Sequence, residues 1–157
     1  MKPVFVKLKK RDVQEILISL NNMFGINPEI FKENVFYRTG KESIWITTPQ
    51  ALDLIPSPIN INNIGINFMK IDSRGDMRLT LDGTTLFGKH ATKNVIQITD
   101  EEFDYVIRGI DLSPKPELEP GYYILKHEKD FIGCAKNSNT KILVYTPKNR
   151  RIKNLDF

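Results

Sequence analysis

Apolar and polar residues alternate along this chain with two different periods. From Arg11 to Phe24 the apolar residues recur at helical spacing, at positions 13, 16, 17, 20 and 24. This spacing predicts one helix with a single buried face, and Gly25 is a typical helix end. Shorter runs in which apolar and polar residues alternate predict strands. The first is an edge strand within residues 3–8, and the next two, Val35–Arg38 and Ser43–Thr48, form a hairpin. Two more strands follow, Ile64–Ile71 and Met77–Leu81.

Between and after these strands, other signals predict short helices and loops. Pro49–Leu54 is predicted to be a short helix, because proline is favoured in a first helical turn. Residues 55–63 contain two prolines and three asparagines and are predicted to form a loop. Trp45 in the hairpin has two interpretations, base stacking or packing against the first helix, and packing is preferred.

The second half of the chain begins with a strand, Lys93–Ile98, and a capped helix. Thr99 and Glu102 have the spacing of a capping box, and apolar residues at 103, 106, 107 and 110 form one face. A proline-rich connector, Leu112–Pro120, leads to three predicted strands, Tyr122–Leu125, Phe131–Ala135 and Lys141–Tyr145. The pattern predicts an α+β protein of two domains, 1–74 and 75–157, with the boundary in the turn near residue 74.

A partial phosphate-loop motif occurs at Gly83-x-x-x-x-Gly88-Lys89. His90 stands where that loop needs a Ser or Thr hydroxyl for Mg²⁺, and the predicted strand that follows replaces the expected helix. We therefore predict a short helix and turn that expose Lys89, His90 and Lys93, and no nucleotide cofactor.

No catalytic or metal-binding pattern emerges from the remaining residues. His90 and His127 are 37 residues apart, and neither has a cysteine or carboxylate at metal-ligand spacing. Cys134, the single cysteine, lies within an apolar strand, where a thiol usually acts as a small hydrophobic group. We expect a binding module and not an enzyme, with no cofactor and no metal.

The positive charge is concentrated near the C-terminus. Residues 126–157 contain eight Lys/Arg and three acids, whereas residues 1–125 contain 15 and 16. A local excess of this kind either attracts a polyanion or simply solvates turns. The single cysteine and the absence of an apolar run of about 20 residues lead us to expect a cytoplasmic protein with no membrane partner.

Three segments together carry a family resemblance: LFGKHATKN (86–94), VIQITDEEFDYVIRGIDL (95–112) and GYYILKHEKDFIGCAKNSNTKILVYTPKNRR (121–151). In this order they resemble a PUA-like RNA-binding domain, and more narrowly the C-terminal domain of RsmF-type RNA cytosine-C5 methyltransferases. The N-terminal half is similar in order and size to the domain before PUA in two-domain ribosome-biogenesis factors. The resemblance implies a small N-terminal α/β domain followed by a C-terminal PUA-like β-barrel with short helices.

The resemblance also implies a function. One face of the barrel would bind structured RNA, rRNA or tRNA, in RNA modification or ribosome maturation. The methyltransferase core is absent from these residues, so an RNA methyltransferase or a ribosome-assembly factor would act as a partner in trans. The residues expected to contact RNA are basic and lie near the two ends of the domain: Lys89, His90, Lys93, Lys148, Arg150, Arg151 and Lys153. Tyr145 would either stack a base or pack in the core.

Two alternatives remain at this point. In the first, the protein is an interaction adaptor in ribosome assembly that makes no direct contact with RNA. In the second, it is a small enzyme in which His90, His127 or Cys134 lies beside a carboxylate in a deep pocket.

Overall fold

The N-terminal part of the structure is a helix on a five-stranded sheet. The computed structural model describes residues 6–53 and 63–153. Helix α1 spans Lys10–Phe24 and ends at Gly25, which adopts the left-handed conformation with φ 66°. The strands pair antiparallel in sequence order: β1 (Val6–Lys7), β2 (Val35–Thr39), β3 (Ser43–Thr47), β4 (Ile66–Ile71) and β5 (Met77–Leu79). A short helix, α2 (Pro49–Leu52), follows β3.

The apolar face of α1 covers one side of this sheet, as the helical spacing predicts. Leu20 and Phe24 are fully buried with Ile44 and Phe68 in one apolar core. Trp45 alternates to the other side of β3, where its ring stacks on Tyr37 and its Nε1 donates to Thr39 Oγ1 at 2.8 Å. The prediction that Trp45 packs against the first helix is therefore wrong.

The C-terminal part is a four-stranded sheet with one helix. Its strands are ordered β6 (Val95–Ile98), β7 (Gly121–His127), β8 (Asp130–Asn137) and β9 (Ile142–Val144), and β6 runs parallel to β7. Helix α4 (Asp100–Arg108) makes the crossover. Its capping box is present as predicted: the Glu102 amide donates to Thr99 Oγ1, and the Thr99 amide donates to the Glu102 carboxylate, each at 3.1 Å.

Helix α3 (Leu81–Phe87) connects the two sheets, and two glycines, one within it and one directly after it, allow this segment to pack closely. A Cβ on Gly83 would lie 2.1 Å from the Phe68 carbonyl oxygen, and one on Gly88 would lie 2.7 Å from the Phe131 ring. The glycine spacing that resembles a phosphate loop is thus accounted for by packing against β4 and β8. Three 3₁₀ turns complete the described structure: Pro28–Phe31, Gly88–His90 and Lys148–Arg150.

The two sheets share part of their apolar interior. Ile124 on β7 and Cys134 on β8 belong to the same buried cluster as α1 and the first sheet, while Val106 of α4 belongs to a second cluster. The α+β class is confirmed. The domain boundary near residue 74, the two-domain arrangement and the closure of the second sheet into a barrel stay predictions, and β5, which follows residue 74, pairs with β4.

Some predicted segments lie outside the described residues. These are positions 3–5 of the edge strand, Leu54 of the short helix, and most of the loop at 55–63. Across residues 6–53 and 63–153, every helix is too short or too polar to cross a membrane.

Candidate functional site

Two positive side chains face each other across the edge of the first sheet. In the antiparallel register of β4 and β5, Lys70 lies directly opposite Arg78. Like charges at directly opposed positions destabilise a sheet. Among the described residues, neither side chain has a carboxylate within ion-pair distance. The pair therefore leaves positive charge unneutralised at this edge.

An aromatic residue from the C-terminal part lies against this pair. The Arg78 guanidinium carbon is 4.2 Å from the centre of the Tyr145 ring, a cation–π contact. Tyr145 in turn packs on Tyr122, with ring centres 6.3 Å apart. Burial, together with the neighbouring Tyr145, raises the pKa of Tyr122, so Tyr122 stays uncharged at neutral pH.

These residues open into a concave surface that we call the basic cleft. The cleft has a volume of about 340 Å³ and carries three cationic side chains and one carboxylate. It combines residues from both parts of the chain: Asn67, Lys70, Arg78, Thr80, Leu81, Asp82, Tyr145, Pro147, Asn149 and Arg150. A cleft with excess positive charge and an aromatic wall can hold a phosphate beside a flat ring.

The Arg150–Asp82 ion pair lies at the boundary between the basic cleft and a second concavity. Arg150 Nη2 is 3.2 Å from both carboxylate oxygens of Asp82. The second concavity, which we call the side groove, has a volume of about 580 Å³ and is lined by Lys89, Lys129 and Phe131 together with Arg150 and Asp82. The structure thus brings two of the predicted residues, Lys89 and Arg150, to one groove.

The other predicted residues divide into exposed and structural positions. Lys148 and Lys153 are exposed near Arg150, and half-buried His90 follows Lys89 in the same 3₁₀ turn. Lys93 lies beside the end of α1, where its amide donates to the Phe24 carbonyl oxygen at 3.3 Å.

Arg151 has a structural environment. Its Nε donates to the Thr146 carbonyl oxygen at 3.1 Å, and a Cβ on Gly109 would lie only 2.3 Å from that same nitrogen. The next residue, Ile152, donates its amide to the Ile107 carbonyl oxygen at 3.0 Å. Arg151 therefore fastens the C-terminal segment to the end of α4.

A third concave surface adjoins the basic cleft, and the cations that it does not share with the cleft are paired with carboxylates. It shares Lys70, Arg78 and Tyr145 with the cleft. Arg74 pairs with Asp72 at 3.2 Å, and Lys136 pairs with Asp76 at 3.5 Å. Partner carboxylates reduce the pull of these cations on an external anion, so the unneutralised charge remains on Lys70 and Arg78.

The candidate catalytic groups have ordinary structural surroundings. His127 Nε2 lies 2.7 Å from Asp100 Oδ1, and its ring stacks on Phe103, but the Asp100 side chain is 94% exposed. Asp100, His127 and Glu128 offer ligand atoms within 4.8 Å of one another at this exposed helix start. Cys134 is buried, and desolvation raises its thiol pKa to about 12, so the thiol stays protonated and unreactive at neutral pH.

Lys70 and Arg78 are absent from the residues predicted from the sequence. They lie within residues 1–125, whose net charge is slightly negative, so a count of charges along the sequence does not identify them. One local signal was available: each cation stands between two apolar residues of a strand, in Met69-Lys70-Ile71 and Met77-Arg78-Leu79. That pattern places both cations on the face away from the core.

Comparisons with known proteins bear on the family resemblance. Residues 93–152 match the family model of the methyltransferase RsmF PUA domain. The C-terminal part of the chain is PUA-like. The resemblance predicted from the sequence is therefore confirmed over that range, which includes Tyr145 and Arg150.

One sequence relative and one solved structure of similar fold extend over most of the chain. The Ribosomal RNA small subunit methyltransferase F of Aeromonas salmonicida (strain A449) is 21% identical over 146 residues, which are 92% of this chain and 29% of that protein. The chain thus spans under a third of that relative's length. A hypothetical protein from the archaeon Pyrococcus horikoshii OT3 has a similar fold, with a TM-score of 0.58 at 13% identity over 90% of this chain and 93% of its own.

Proposed function

We propose that this protein binds structured RNA through the basic cleft and the side groove. The observation that carries the proposal is the Lys70–Arg78 pair, two opposed cations with no described carboxylate within ion-pair distance. A phosphate between them would relieve their repulsion. RNA offers closely spaced phosphates together with flat bases, which matches cations beside an aromatic ring.

The family match supports RNA as the polyanion. The matched family is the PUA domain of an RNA methyltransferase, and Tyr145, Asn149 and Arg150 all fall within the matched range. The remaining cations of the cleft, Lys70 and Arg78, come from the preceding part of the chain. Both parts therefore contribute to one proposed RNA surface.

We further propose a non-catalytic role in rRNA or tRNA modification or in ribosome maturation. The curated relative is a ribosomal RNA methyltransferase, and this chain corresponds to only 29% of its length. In this proposal the chain holds the RNA, and a methyltransferase or ribosome-assembly factor acts in trans. Crosslinking to RNA in cells, followed by sequencing of the attached RNA, identifies which RNA is bound.

The direct test is an RNA titration at several salt concentrations. Replacing Lys70, Arg78 and Arg150 together with alanine should lower the affinity for an rRNA or tRNA fragment at least tenfold. Each phosphate contact contributes about one unit to the slope of log affinity against log salt. The triple variant should therefore lose about two to three units of slope.

A matched control removes three cations from another surface. Lys9, Lys10 and Arg11 are exposed at the start of α1. Replacing these three with alanine should leave the affinity within about threefold of the wild-type value. RNA affinity that is independent of salt, or equal losses in both triple variants, would overturn the proposed interface. Absence of RNA binding by the pure protein would favour the adaptor alternative.

A further inference from the structure

We infer that the basic cleft is a site for a single unpaired nucleotide, and not a surface for the flank of a duplex. This inference rests on the proposed function, since it specifies which feature of an RNA the cleft would select. It is carried by the size of the cleft, the wall formed by Arg78 and Tyr145, and an exposed side-chain amide, that of Asn149. Six of the ten lining residues lie outside the range that matches the PUA family.

The dimensions favour one nucleotide. The cleft volume of about 340 Å³ falls at the lower end of the range of about 300–1,000 Å³ found for small-molecule sites. A double helix cannot enter a concavity of this size, whereas one extruded nucleotide can. RNA-binding proteins recognise such unpaired bases by stacking them on aromatic rings or on guanidinium planes.

The wall of the cleft provides a stacking surface. The Arg78 guanidinium carbon lies 4.2 Å from the centre of the Tyr145 ring, so the cation is held against the aromatic face. Tyr122 supports Tyr145 from the interior. A base placed against this wall would meet a planar cation, while Lys70 opposite Arg78 remains available for the phosphate.

Two side-chain amides line the cleft beside this wall. Asn67 is half-buried, and its Oδ1 atom has almost no exposed surface, so that oxygen does not serve as a contact for a base. Asn149 lies at the same cleft and is exposed. Side-chain amides of this kind form paired hydrogen bonds with base edges.

The test compares two RNA hairpins that differ by one nucleotide. One hairpin is fully paired, and the other carries a single bulged adenosine in the stem. The wild-type protein should bind the bulged hairpin at least tenfold more tightly. Arg78→Lys keeps the charge but removes the planar guanidinium, so it should lose most of this preference while still binding the paired hairpin. Asn149→Ala should reduce the preference without lowering the melting temperature.

The outcomes separate this inference from the proposed function. Equal affinity of the wild-type protein for both hairpins overturns the nucleotide site but leaves RNA binding in place. A preference that Arg78→Lys and Asn149→Ala both retain places the selection elsewhere and also overturns the inference. Failure of the wild-type protein to bind either hairpin overturns the proposed function itself.

Discussion

Lys70 lies directly opposite Arg78 across the antiparallel strands β4 and β5. A sheet normally avoids like charges in this register, because each opposed pair changes stability by roughly 0.2–1 kcal/mol. The Tyr145 ring under Arg78 reduces the cost for that side chain, whereas Lys70 has no described carboxylate within ion-pair distance. An arrangement that costs stability in the free protein is expected where a ligand binds.

Removing one charge of this pair should separate stability from binding. Lys70→Gln should raise the free energy of unfolding by about 0.5 kcal/mol, because the cross-strand repulsion disappears. The same change should weaken RNA binding severalfold. Chemical denaturation and fluorescence anisotropy measure the two effects.

Lys136→Gln is the matched control for that substitution. Lys136 pairs with Asp76 at 3.5 Å and lies over the Tyr122 ring. Its replacement should lower stability slightly and change RNA affinity little. If both glutamine variants are destabilised to the same degree, the Lys70–Arg78 repulsion is not significant.

Arg150 and Arg151 should have different roles despite being adjacent. Arg150→Ala should weaken RNA binding and reduce the salt slope by about one unit, with stability changed by less than about 0.5 kcal/mol. Arg151→Ala should lower stability by about 1 kcal/mol, because it removes the hydrogen bond to Thr146 and the packing on Gly109. Thermal unfolding and RNA titration of both variants test this division, and an affinity loss confined to Arg151→Ala would contradict it.

Asp82 should compete with RNA for Arg150. Asp82→Asn removes the carboxylate that pairs with the Arg150 guanidinium at 3.2 Å. RNA affinity should therefore increase severalfold. Because an acid in the first turn of a helix is favourable, the same change should cost about 0.3–1 kcal/mol of stability.

A second ion pair of the same kind provides the control for Asp82. Asp104 pairs with Arg108 at 3.3 Å on α4, with both side chains similarly exposed. Asp104→Asn removes the same negative charge outside the basic cleft and the side groove. An equal gain of affinity in both variants would indicate a general effect of net charge and would exclude specific competition at Arg150.

Gly83→Ala should destabilise the protein although it lies in a helix. Alanine in place of glycine normally stabilises a helix interior by about 1 kcal/mol. Here the new Cβ would lie 2.1 Å from the Phe68 carbonyl oxygen, so α3 must move away from β4. We expect a loss of at least about 2 kcal/mol in thermal unfolding, and no change beyond about 0.5 kcal/mol for Gln14→Ala on the exposed side of α1. A stabilised Gly83→Ala variant would show that this contact is not close.

Cys134 should make the protein less stable at alkaline pH. Desolvation raises its folded-state pKa from 9.0 to about 12. The unfolded thiol ionises first, so its contribution to stability is complete below about pH 9 and declines as the pH rises toward 12. Urea unfolding at several pH values should show this decline, and Cys134→Ala should make it shallower. An identical pH dependence in the variant would assign the effect to other groups, such as Tyr122, whose pKa is also raised.

The sequence alone was enough for the elements that depend on local interactions. The spacing of apolar residues located α1, and Thr99 with Glu102 located the start of α4, because helix faces and caps depend on residues a few positions apart. Alternation located the hairpin, and short apolar runs located the strands of the second sheet. The family resemblance also came from local motifs in the right order, and the match at 93–152 confirmed it.

Only the tertiary structure decided which residues form the candidate site. The register of β4 against β5 opposes Lys70 and Arg78, and the packing of the second sheet brings Tyr145 onto Arg78. These contacts join residues far apart in the chain, so neither charge counts nor local periodicity reveals them. Arg150 and Arg151 are adjacent and of the same residue type, so the sequence does not distinguish them. In the structure Arg150 lines the cleft, whereas Arg151 packs against Gly109. Their surroundings differ because the packing of the C-terminal segment on α4 places Arg150 at the cleft and Arg151 against Gly109.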